Sequence, residues 1–211
     1  MAEHFSTVTY LDNINARAVD EHILFRMGYK KGITELGGEE LIKITETIEH
    51  GRRLCELKGA YGRYLINHND FARVQLDSGA LFESGKLAEL LRDSTEVVLM
   101  AATAGAEVVE VTRNEIQAGN GAKGIILDAT ASETADSALD WMQDFINKKL
   151  QREGRVTTRR FSPGYGDLPL SAQKIIFDSL GLAKIGVSIT DRFLLVPEKS
   201  VLAIAGIQPV K

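Results

Sequence analysis

The spacing of apolar positions changes along the chain, and the changes predict its elements. A short helix is expected over Ala16–Met27. From Gly38 to Leu57 a helix opens on Glu39 and Glu40, acids suited to its positive N-terminal end, and places Leu41, Ile44, Ile48 and Cys55 on one stripe. Tyr61–Ile66, Arg73–Leu76 and Glu96–Ala102 are short runs rich in aromatic or β-branched residues and predict strands, with a small Ser-capped helix at Ser84–Leu91. Ala135, Ala138, Leu139, Met142, Phe145, Ile146 and Leu150 recur at steps of three and four, which predicts a long helix over Ser132–Leu150. Past Gly154 the strand-like RVTTRRF runs into a turn and then a helix over Pro169–Leu180, with Pro at its start and Gly181 past its end. Three short strands are expected to close the chain, Lys184–Ile189, Phe193–Val196 and Val201–Ile207, joined by turns at Thr190–Asp191 and Pro197–Lys199.

Helix signals dominate the early and middle segments and hairpin signals the end, so the fold class expected is α+β, an antiparallel twisted sheet with flanking helices. No linker, low-complexity run or repeat divides the 211 residues, and one domain over 1–211 is expected, its helical segment of about 1–58 packed on the rest. A hydrophobic fraction of 44% suffices for one sizeable core. The net charge of −4, with Lys and Arg scattered, argues against nucleic acid or an anionic membrane surface as partner. No apolar run approaches the roughly 18–20 residues of a membrane span, and MAEHFSTVTYLDN lacks a charged head before an apolar signal core. A soluble, cytoplasmic protein is expected.

The single Cys55 excludes an internal disulfide and reads as core rather than nucleophile, while His4, His22, His50 and His68 show no metal-seating spacing. Gly119, Gly121 and Gly124 satisfy GxGxxG, but the polar, helical EVTRNEIQA precedes them where a dinucleotide site needs a buried strand. They read as a helix junction. The run Arg160, Phe161, Ser162, Pro163, Gly164, Tyr165 is more informative, because Pro followed by Gly specifies a type II turn. Such a turn sets Arg160 and Tyr165 at its two ends and leaves backbone groups free to meet a ligand. An arginine fork suits a carboxylate, and a tyrosine suits a planar base or a hydroxyl contact. Spacing alone leaves two readings open, a binding loop or a hairpin with a solvated arginine and a packed tyrosine.

RFSPGYGDLP resembles the RxxPGY signature of the activation domain of cobalamin-dependent methionine synthase and its stand-alone relatives. KIGVSITDRFLLVPEKSVLAIAGI is similar to the closing strands of that family. The resemblance covers Arg159–Ile207 well and the remainder loosely, through helix order and MAATAG at Met100–Gly105. It implies S-adenosylmethionine as ligand, with Arg160 on the methionyl carboxylate and Ser162, Gly164 and Tyr165 around the adenosine part. It also implies an acid on the long helix, for which Glu133 is the match, although an acid favouring a helix N-terminus reads equally well there. Gly166, Asp167, Leu168 and Pro169 stand where methionine synthase has Ala-Cys-Pro, a form closer to the stand-alone relatives. The 211 residues contain neither the cobalamin-binding DxHxxG nor zinc-binding cysteines. The implied role is therefore accessory, with no turnover alone: reactivation of cobalamin carried by a separate corrinoid protein or methionine synthase, with flavodoxin or another reductase as electron source. Two alternatives are a stand-alone S-adenosylmethionine-dependent methyltransferase and a docking module that no longer binds the ligand.

Overall fold

The computed structural model describes residues 7–30, 32–34 and 37–210. Its elements in chain order are β1 (Thr9–Leu11), α1 (Asp20–Arg26), α2 (Gly38–Leu54), β2 (Lys58–Asn69), β3 (Arg73–Leu76), β4 (Leu81–Glu83), α3 (Gly85–Leu90), β5 (Glu96–Thr103), α4 (Glu107–Gln117), α5 (Gly121–Leu150), β6 (Arg155–Thr157), α6 (Ala172–Leu180), β7 (Ser188–Ile189), β8 (Leu195–Val196) and β9 (Ser200–Pro209). The main sheet runs β4-β3-β2-β5-β9-β6, with β1 paired to β2, and its pairings are all antiparallel.

The run Val97–Ala102 explains the layering. Successive residues of a strand face opposite ways, so a run that is apolar at every position is stable only where both faces are covered. Val97, Leu99 and Ala101 join a core with Leu87 of α3 and with Ile176 and Leu180 of α6. Val98, Met100 and Ala102 face the other way, onto Ala135, Leu139 and Met142 of α5. A third cluster, Ala18, Ile23, Ile44, Ile48, Ile126 and Ala129, fastens α1 and α2 to the first half of α5. The expected α+β sheet with flanking helices is therefore the fold found. Among the described residues no helix is long and apolar enough to cross a membrane.

Several boundaries differ from the sequence reading. Helix α5 begins at Gly121 rather than Ser132. Its first half is buried against more than one neighbour and so shows no single apolar stripe, and the buried Thr130 and Thr134 direct their hydroxyls to the carbonyls of Ile126 and Thr130, each at 2.7 Å. The GxGxxG is the α4–α5 junction: Gly119 has φ +85°, and a Cβ on Gly124 would lie 2.4 Å from Ile116 Cγ1. On α2 the expected stripe fails at Leu41, which is 45% exposed, because residues 38–43 all face solvent and burial begins at Ile44.

The last three strands also differ. Leu182–Ile185 form a 3-10 turn closed by Gly186 at φ +78°, and Leu182, Ile185 and Val187 plug the core instead of extending a strand. Of the three, only β7 and β8 make a hairpin, while β9 inserts between β5 and β6 in the main sheet. The edge strand β4 was not expected, being three residues long after the Gly79 turn at φ +86°.

Cys55 packs partly buried at the end of α2 and donates to the Gly51 carbonyl at 3.2 Å. Burial pushes its thiol up to about 11. At pH 8 roughly one molecule in a thousand then carries the thiolate. Iodoacetamide is expected to label Cys55 slowly in the folded protein and readily in urea; rapid native labelling would contradict the burial.

Candidate ligand-binding cleft

The strand after Gly154 is pinned at two points, leaving two arginines between them. Thr158 N–H donates to the Gly206 carbonyl at 2.8 Å and its hydroxyl accepts from Gly206 N–H at 2.9 Å. Phe161 exchanges backbone bonds with Ile204 at 2.8 and 2.9 Å. Arg159 is exposed, whereas Arg160 is directed to α5, where its Nη2 lies 2.7 Å from Asp140 Oδ1.

The chain then turns as its Pro-Gly pair requires. Tyr165 N–H donates to the Ser162 carbonyl at 3.2 Å and Gly164 sits at φ +89°, the positive φ of a type II turn. A second turn follows at once, closed by Leu168 N–H to the Tyr165 carbonyl at 3.1 Å and Gly164 N–H to the Leu168 carbonyl at 2.9 Å. Asp167 ties the double turn to α3. Its carboxylate accepts from the Ser84 hydroxyl and from Lys86 N–H at 3.2 Å, and the Ser84 bond leads in holding it below the usual carboxylate range. Ser84 meanwhile caps α3 by accepting from Leu87 N–H at 3.0 Å. A turn fixed at both ends can preorganise a ligand contact that a free loop could not.

Between this turn, α5 and β9 lies a half-open cleft of about 210 Å³, lined by Arg160, Ser162, Pro163 and Tyr165 together with Asp136 and Leu139. Arg160 is only 23% exposed, and its Nη1 is buried without an acceptor. An unsatisfied guanidinium nitrogen is costly, and its partner Asp140 is 69% exposed, so the pair offsets little of that cost. Arg160 nevertheless lines the cleft, and its Nη2 is held only by an exposed carboxylate that the anionic group of a ligand could replace.

No family model and no curated protein matches this chain. Among solved structures, the crystal structure of the MetH reactivation domain bound to AdoHcy aligns over 99% of this chain and 80% of its own, with a TM-score of 0.69 and 13% sequence identity. The chain has the MetH reactivation-domain fold. At that identity the likeness is one of architecture, and the chemistry of the cleft has to be argued from the residues of this chain.

On this reactivation-domain fold the residues expected from sequence separate into two groups. Arg160, Ser162 and Tyr165 converge on the cleft, Tyr165 standing 70% exposed at its mouth, and Gly164 forms the turn behind them. Glu133 lies elsewhere: it is 15% exposed and its Oε1 accepts from Arg26 Nε at 2.5 Å. The α5 acid that lines the cleft is Asp136, one turn further on, which sequence reasoning missed. The available signal was its spacing, since Glu133, Asp136 and Asp140 follow one another at three and four residues and share a face of the helix. Burial, with the like charges of Glu133 and Asp140, raises the Asp136 carboxyl against the opposing pull of Arg26 and Arg160.

Size does not single out this cleft. Hollows of about 600 and 590 Å³ open elsewhere, one beside Tyr61 and Lys149 at the sheet edge and one beside Arg52 and Cys55. In the second, Arg52 already bonds Glu49, Asp20 and the Ala18 carbonyl, and the raised Cys55 thiol is a poor nucleophile. Among the described residues no group of three or more His, Cys, Asp or Glu converges as a metal site.

Proposed function

We propose that this chain binds S-adenosylmethionine in the Arg160 cleft and supports reductive methylation of the cobalamin of a separate methionine synthase or other corrinoid methyltransferase. The observation that carries the reading is the convergence of Arg160, Ser162 and Tyr165 of the fixed turn on one cleft whose other charged wall is Asp136. The ligand has matching charges. Its carboxylate completes the Arg160 fork, its cationic end meets Asp136, and its nucleoside has the exposed Tyr165 ring to stack on and the Ser162 and Gly164 backbone to bond. The fold shared with a reactivation domain that was crystallised with AdoHcy supports the same ligand class.

A cleft of about 210 Å³ falls below the roughly 300–1,000 Å³ of sites that enclose a drug-sized ligand. A molecule bound here keeps one side uncovered, which suits a donor that must meet a cofactor carried by another protein. Bound S-adenosylmethionine supplies an activated methyl group, and reductive methylation draws its electron from flavodoxin or another reductase. The residues of this chain bind and orient; none is required as general acid or base. A stand-alone methyltransferase of the dinucleotide-fold type is disfavoured by the antiparallel sheet and by the GxGxxG serving as a helix junction.

Calorimetric titration of the purified protein with S-adenosylmethionine tests the reading. Saturable binding at one site per chain is expected, and heats of dilution alone would overturn it.

A further inference from the structure

Helix α1 reaches the cleft through one side chain. Arg26, in its last turn, places Nε 2.5 Å from Glu133 Oε1 and Nη2 3.1 Å from Asp136 Oδ2. Two acids one turn apart on α5 thus share a cation supplied by a different element. Asp136 is the member of that pair that also lines the cleft.

The charges around Asp136 show what this contact accomplishes. Glu133 and Asp140 of α5 repel a charge on it, and Arg160, from the strand before the turn, is engaged by Asp140. Arg26 is the other cation acting on it, and Asp128 of α5 in turn acts on Arg26 while pairing with Lys199 at 2.7 Å. Without Arg26, Asp136 stands between two like charges at a partly desolvated surface, where a carboxyl gains a proton more readily.

We infer that Arg26 is a positioning residue of the cleft: it keeps Asp136 charged and oriented for the cationic end of the ligand, which makes α1 part of the binding machinery. This rests on the S-adenosylmethionine reading above. The carboxyl of Asp136 is already raised, burial being the first cause, so the acid loses its charge earlier than usual as pH falls. Removing Arg26 raises it further. The loss of affinity on the acid side then begins at a higher pH.

The test has two arms. In ligand-free protein, the carboxyl resonance of Asp136 is titrated by NMR in the wild type, Arg26→Ala and Arg26→Lys; in parallel, calorimetry follows S-adenosylmethionine binding from pH 5 to pH 8. Arg26→Ala is expected to raise the Asp136 midpoint and to weaken binding at pH 5 in proportion to the charged fraction lost, at most about tenfold for each unit of that rise, with near-wild-type affinity at pH 8. Arg26→Lys restores both, and in an Asp136→Asn background Arg26→Ala adds no further loss. An unchanged Asp136 midpoint, or a loss equal at every pH, would overturn the positioning role while leaving the ligand assignment intact. Absence of binding by the wild type would instead overturn the ligand assignment, and the positioning role with it, even where the NMR arm shows the two side chains coupled.

Discussion

Arg160→Ala is expected to weaken S-adenosylmethionine binding by about 1.5–3 kcal/mol, roughly 10- to 150-fold, because a hydrogen-bonded charge in a cleft is the strongest single contact the ligand has available. Arg160→Lys should recover only part of that loss, since an ammonium cannot reproduce the planar fork. Stability should move differently. In the ligand-free protein Arg160 holds a buried Nη1 without an acceptor and an ion pair to a largely exposed Asp140, so truncation removes an unfavourable group along with a weak favourable one. The midpoint of thermal unfolding without ligand should therefore stay level or rise slightly, the pattern of a residue retained for binding. Saturating S-adenosylmethionine should raise the midpoint of the wild type and leave that of Arg160→Ala nearly unmoved. Calorimetry and thermal unfolding on the same samples check both halves. Unchanged affinity in Arg160→Ala would show the assigned pose to be wrong.

The parts of the cleft that could be read from sequence are those fixed by short-range chemistry. A Pro-Gly pair dictates its turn whatever surrounds it, so Arg160, Ser162, Gly164 and Tyr165 could be placed in one loop before any fold was known. Glu96–Ala102 was readable as a strand from its β-branched residues, and the second half of α5 as a helix because there a single apolar face meets a single sheet. What could not be read depends on distant partners. Residues 121–131 of α5 are covered by other helices and have no clean stripe, and the alternation of Ile185 and Val187 in Lys184–Ile189, which looks like a strand, comes from plugging a core. The choice between Glu133 and Asp136 belongs to the same class. Both are acids on one helix and both meet Arg26, more than a hundred residues earlier; only the cleft formed with the Arg160–Tyr165 turn marks Asp136 as the one that faces a ligand.

The same reasoning explains how the fold is shared with the MetH reactivation domain at 13% identity. A core tolerates extensive exchange of apolar residues if volume and alternation are kept, so architecture outlasts recognisable sequence. A turn that must hold a ligand has fewer options, since Gly164 needs its positive φ and Arg160 its fork. The sheet and the turn are therefore expected to fail differently when altered: one loses stability, the other binding.

Leu99→Ala shows the first kind of failure. Leu99 is fully buried on β5, between Gly62 of β2 and Ile204 of β9 in the antiparallel ladders. Truncation of a buried leucine costs about 2–5 kcal/mol, and where a site falls in that range depends on how far its surroundings collapse into the space left. Collapse is restricted here. Gly62 has no side chain to contribute, and Tyr64, whose ring lies over Gly62, is held by its hydroxyl on the Ser179 carbonyl at 2.7 Å. The upper half of the range is expected, a large fraction of the roughly 5–15 kcal/mol that stabilises a typical domain. Urea unfolding followed by circular dichroism should show a lower midpoint with an unchanged slope, and Leu65→Ala, at a 40% exposed position, should change the midpoint much less. Below the unfolding transition Leu99→Ala should keep most of its affinity for S-adenosylmethionine, because Leu99 does not line the cleft and Asp136 and Leu139 reach it from α5 on the other face, although Phe161 and Leu202 beside the turn share the core of Leu99. A small shift in the urea midpoint would mean that the β2–β5–β9 centre is softer than its burial implies, and a large loss of affinity in folded protein would mean that the core shared with Phe161 and Leu168 holds the turn in its binding form.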